Sequence, residues 1–103
     1  MVRTAKPQSD NERLSDIIQA LAAKHGLEVH KAGWARTTYD VFSRDPRSRD
    51  LKLLVRVESF ATTNGEILLF APEAQTFAEE LGAELEQAFP QIGEATIIER
   101  FNA

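Results

Sequence analysis

A chain of 103 residues with 43% hydrophobic and 27% charged side chains has enough apolar material for one buried core, and is too apolar for a disordered polymer. It contains no cysteine, which excludes disulfides, thiolate metal sites and a cysteine nucleophile, and makes a reducing, cytoplasmic compartment the expectation. The net charge of −4 is unevenly divided: residues 24–56 hold eight bases against four acids, and residues 57–103 hold nine acids against Arg100, an asymmetry that bears on partners rather than on fold.

The first eight residues, MVRTAKPQ, lack the apolar run of a signal peptide and are expected to form a disordered tail before a single domain over 9–103. Ser9-Asp10-Asn11-Glu12 has the spacing of a capping box. Behind it Leu14, Ile17, Ile18, Leu21 and Ala22 repeat at i, i+3, i+4, i+7 and i+8, which predicts a helix over 10–25 with one apolar stripe. Gly26 suits the left-handed position that closes such a helix.

From Leu27 the period changes to two. Leu27 and Val29 alternate with Glu28 and His30 as a first strand, and Thr37–Ser43, rich in β-branched and aromatic residues, follows as a second. The stretch 44–50 is a polar loop around Pro46. Leu51, Leu53, Val55 and Val57 then alternate with Lys52, Leu54, Arg56 and Glu58, predicting a long third strand whose odd positions face the core.

Asn64-Gly65 between two apolar runs predicts a tight hairpin. A two-residue turn would pair Thr63 with Glu66 and put Leu68 and Phe70 on the face of Val57. A bulged three-residue loop would pair Thr62 with Glu66 and bury Ile67 and Leu69 there instead. The bulged turn is favoured, because it buries two aliphatic side chains and leaves Glu66 in water. Pro72 opens a second helix with Ala74, Phe77, Ala78, Leu81, Leu85 and Ala88 on one face, and Pro90 ends it. Gly82 inside that helix suggests a close approach to the sheet. Ala95–Phe101 forms the last strand. The expected fold is therefore an α+β two-layer sandwich, α-β-β-β-β-α-β. Its five-stranded, mostly antiparallel sheet carries two helices on one face. The fifth strand either pairs with the first, the favoured arrangement, or joins the fourth by a parallel crossover.

Motifs of catalysis are weak. His25 and His30, with Glu28 beside His30 on the strand, do not by spacing alone make a metal or acid–base site. Arg36, Tyr39 and Asp40 share a strand without any sign of a cleft, and Ser43, Ser48 and Ser59 lack a glycine-flanked elbow. No glycine-rich phosphate loop exists among the five glycines. No metal or cofactor is expected, and a non-enzymatic role is the expectation.

Two surfaces stand out instead. In the bulged register Leu54, Phe60, Leu68 and Phe70, with Phe42 beside them and Lys52, Arg56 and Glu58 around them, face away from the helices. An apolar strip rimmed by charge marks an interaction surface, so a protein-interaction module, self-associating as a homodimer or docking another protein, is the leading expectation. Small acidic α+β dimers of this order resemble secretion chaperones in size, charge and element sequence, and an adaptor role fits equally. The alternative is a nucleic-acid-binding domain in which Lys31, Arg44, Arg47, Arg49 and Lys52 contact phosphates and Trp34, Tyr39 or Phe42 stack on bases. The order of elements resembles double-stranded-RNA-binding domains, but Pro72-Glu73 stands where that family has a basic helix start. A pI near 5.1 also lacks the usual electrostatic footprint. A further alternative is a small-molecule pocket between the second helix and the sheet. A membrane role is not expected, since the longest apolar runs fall far short of the ~20 residues that span a bilayer.

Overall fold

The computed structural model describes residues 10–32, 38–58 and 65–101. Within them lie α1 (Asp10–Lys24), β1 (Glu28–Ala32), β2 (Thr38–Arg44), β3 (Leu51–Glu58), β4 (Glu66–Leu69), α2 (Gln75–Ala88) and β5 (Thr96–Glu99), the order that the sequence predicts. The expected tail, Ser9 of the capping box, Trp34, Arg36, Thr37, Ser59, Phe60, Thr62, Thr63 and Asn64 lie outside the described residues.

The apolar stripe of α1 is buried as its spacing requires: Leu14 and Ile18 are fully enclosed, with Leu21 and Ala22 beside them. The helix ends on Gly26 at φ +69°, where the Gly26 amide donates to the Ala23 carbonyl and the Leu27 amide to the Ala22 carbonyl. That pair of bonds satisfies two carbonyls the last turn would otherwise leave open. Pro72 opens a short 3-10 turn, Pro72–Ala74, before α2 proper. Phe77, Ala78, Leu81 and Leu85 of α2 are buried, as is Phe89 just past its end.

The sheet runs in the order β1-β2-β3-β4-β5, with antiparallel neighbours except for the parallel pair β4-β5. The favoured pairing of the last strand with β1 is therefore replaced by the crossover. The reason is reach: β1 lies four strand spacings away, ~19 Å at ~4.8 Å each. After Phe89 the chain spends three residues on a second 3-10 turn, Pro90–Ile92, and reverses at Gly93 with φ +72°. It arrives beside β4, where the Thr96 amide donates to the Gly65 carbonyl and the Arg100 amide to the Leu69 carbonyl.

Both helices cover the same face, α1 over β1 and α2 over β4 and β5. Beneath them Tyr39, Val41, Val55, Val57, Ile67 and Leu69 close the core. Ile67 and Leu69 share the face of Val57 and Val55, as the bulged turn required, but the pairing itself is different. Glu66 lies opposite Glu58 rather than Thr62.

A second departure has larger consequences. Val41 pairs with Val55 but Phe42 pairs with Leu53, so Leu54 is an extra residue with no partner on β2. This β-bulge resets the alternation of β3. Leu54 joins Val55 in the core at 5% exposure, whereas Leu53 is only half-buried and lies outside the core cluster. The expectation that Leu54 and Lys52 face away from the helices is thus corrected. Lys52 instead reaches Glu73 at the start of the second helical segment, 2.5 Å away.

Candidate interaction face

The face of the sheet opposite the helices is assembled from alternate positions of all five strands. β2 contributes Asp40, Phe42 and Arg44, and β3 contributes Arg56 and, through the bulge, Leu53. Leu68 on β4 sits opposite Arg56 and beside Ile98 of β5, with Phe70 following. Phe42, Leu53, Phe70 and Ile98 are half-buried, Leu68 is 8% exposed, and none belongs to the core cluster. Leu51 at the margin is 40% exposed. Of the residues expected on this face, Phe42, Arg56, Leu68 and Phe70 are in place, and Leu54 is not. Phe60 lies outside the described residues. Leu53 and Ile98 are the members that strand periodicity missed, because a bulge is invisible to a period-two reading.

Two ion pairs lie on this face, and Glu58 and Glu66 stand opposite one another at its end. Asp40, 6% exposed, accepts two hydrogen bonds from Arg56, from Nε at 2.6 Å and Nη2 at 3.1 Å. That fork holds the guanidinium above its ordinary pKa, while the same group lies 5.9 Å over the Phe70 ring. At the other edge Arg44 grips Glu28 through Nε at 2.5 Å and Nη2 at 3.0 Å, which lowers the Glu28 carboxyl below its usual range. His30 stands edge-on to Phe42 with ring centroids 5.1 Å apart and its Nε2 lies 3.6 Å from Glu28. Glu28 and His30 do meet, but the third group present is a guanidinium, which repels a metal ion.

The phosphate candidates are divided between surfaces. Arg44 lies on the open face, committed to Glu28. Lys31 lines a groove with Glu12, Asp16 and Tyr39 beside α1, and Lys52 is held by Glu73, whose carboxyl it lowers. Arg47 and Arg49 remain exposed on the 44–50 loop. Asp45 fixes that loop by accepting the Arg47 and Ser48 amides at 2.8 and 2.9 Å, bonds that lower its carboxyl. Arg49 adopts φ +68°.

Among the described residues no group of three His, Cys, Asp or Glu converges to hold a metal, and no helix is long and apolar enough to cross a membrane. His25 bonds to Glu80 at 3.2 Å, and Lys24 bonds to the same carboxylate at 3.0 Å, tying the end of α1 to α2. Lys24 foremost holds Glu80 below its usual range. No protein-family model, no curated protein and no solved structure matches this chain.

Proposed function

We propose that this domain is a non-enzymatic interaction module whose open sheet face takes a second copy of the same chain. What supports the reading is the make-up of that face: aromatic and aliphatic side chains of four strands surround an arginine that is already paired. The Arg56–Asp40 fork offsets part of the desolvation cost of covering the guanidinium, and arginine and aromatic residues are the usual anchors of interfaces. The two ion pairs neutralise part of the face, on which Glu58 and Glu66 also lie, while the glutamates of α2 point elsewhere.

Size supports a modest affinity. Five strands at ~4.8 Å spacing and about six residues each give a planar footprint of ~500 Å², to which side-chain relief adds. Standard interfaces bury ~800 Å² per partner, so this footprint is at the small end for a stable dimer. A nucleic-acid role would need the basic groups free and on one side; Arg44 and Lys52 are ion-paired on opposite faces of the sheet. The absence of cysteine suits work in the cytoplasm.

Light scattering of the wild type and of Phe70→Lys, at micromolar to millimolar concentration, tests the proposal. The wild type should approach twice the 11.5 kDa mass of the chain, and the variant should remain at it with its thermal melt preserved. A wild type that stays monomeric throughout, or a variant that associates equally, overturns it.

A further inference from the structure

A second site lies on the helical side, away from the open face. Where α1 ends and α2 begins, His25, Leu27, Ser43, Leu54, Ala74 and Phe77 surround a cleft of about 370 Å³, with Glu73 and Thr76 at its mouth. Clefts of ~300–1,000 Å³ with an apolar lining and a few polar groups are the usual small-molecule sites.

Three local features create this space. The bulge on β3 turns Leu54 inward to form the floor, and bulges are characteristically found where a strand re-aims a side chain toward a site. The 3-10 turn before α2 places a small Ala74, 3% exposed, at the corner where a larger side chain would close the gap. Phe77 is held by the His25 ring, edge-on at a centroid distance of 5.5 Å, which fixes an aromatic wall.

The polar groups at the rim define what would fit. Lys52 is committed to Glu73 and Lys24 to Glu80, whose carboxylate also bonds to His25, so each lysine at the mouth already faces a carboxylate. A second anion would meet Glu73 and Glu80, and a cation would have to displace a lysine. Among the described residues, by contrast, the hydroxyls of Ser43 and Thr76 make no side-chain hydrogen bond. An apolar interior with free hydroxyls at its edge and balanced charge selects against charged ligands, because burying an unpaired charge costs far more than burying a hydroxyl.

We infer that this cleft binds a neutral, largely apolar small molecule of one or two rings carrying a hydroxyl or carbonyl group.

The test uses 2-naphthol at pH 7 as probe and 2-naphthoate as its charged counterpart, read by amide chemical shifts of the whole chain. Naphthol should give saturable shifts centred on Leu27, Leu54, Thr76 and Phe77, and naphthoate should bind about tenfold more weakly or worse. Thr76→Phe, which caps the mouth from an exposed position, should weaken naphthol binding about tenfold, and Ala74→Leu, which fills the corner from within, should do the same. Phe70→Lys on the opposite face should leave it unchanged. The inference fails if no saturable shifts occur, if they centre on Phe42, Leu53 and Phe70, if naphthoate binds as tightly, or if Thr76→Phe binds as well as the wild type. Loss of dimerisation alone leaves this site standing, since the two surfaces share no residue.

Discussion

Truncating Leu54 and Leu53 separately tests the bulge on which the composition of both surfaces depends. Leu54 is 5% exposed within the core cluster, and Leu→Ala at such sites costs ~2–5 kcal/mol through lost burial and the cavity left behind. One flank of Leu54 opens onto the cleft, so water relieves part of the cavity and ~2–3 kcal/mol is expected. For a domain of this size that lowers Tm by ~10 °C. Leu53 is half-buried and outside the core, so Leu53→Ala should cost ~1 kcal/mol or less in the monomer. Urea melts followed by circular dichroism, at concentrations below self-association, measure both with an unchanged m-value. An unbroken alternation predicts the reverse order. A Leu53→Ala cost equal to or above that of Leu54→Ala would refute the bulge and return Leu54 to the open face.

The glycines should part ways: a Cβ added at Gly82 would lie 3.5 Å from the Ala95 Cβ, an ordinary contact, so Gly82→Ala should stabilise by ~0.5–1 kcal/mol in thermal melts. Gly26→Ala meets nothing within 4 Å yet is forced to φ +69°, so it should destabilise by ~1–2 kcal/mol. Arg56→Met leaves the buried Asp40 carboxylate without its fork and should cost ~1–3 kcal/mol, partly restored when Asp40→Leu is added; a double-mutant cycle in urea reads the coupling. Glu28, Asp45, Glu73 and Glu80 all have folded-state pKa values depressed below their ordinary ones. Their contribution is therefore fully present above the usual carboxylate range and lost as pH falls through the depressed values. Denaturation midpoints should stay flat near neutrality and decline below about pH 4.5.

The elements themselves were legible because their signals are local. The stripe Leu14–Ala22, the stop at Gly26 and the prolines before and after α2 each act within a few residues, and each is where the chain places it. Register and strand order were less accessible, since they depend on the whole sheet. Asn64-Gly65 suggested a pairing of Glu66 with Thr62, but Glu66 pairs with Glu58. β5 could not be assigned by pattern, since Ile97 and Ile98 suit either edge of the sheet; the short path after Phe89 decides it. The open face was half legible for the same reason. Phe42, Leu68 and Phe70 follow from alternation, while Leu53 and Leu54 exchange places at one inserted residue. The cleft could not be read from the sequence at all, as it needs the ends of four elements to meet.

The most direct measurement of the central claim is an isotope-filtered NOE experiment on a mixture of ¹³C-labelled and unlabelled chains at millimolar concentration. Contacts between copies should arise from Phe42, Leu53, Leu68, Phe70 and Ile98 and from no residue of α2. Intermolecular signals confined to the helices, or none at all in a sample that sediments as monomer, would contradict the assignment of the open sheet face as the site of self-association.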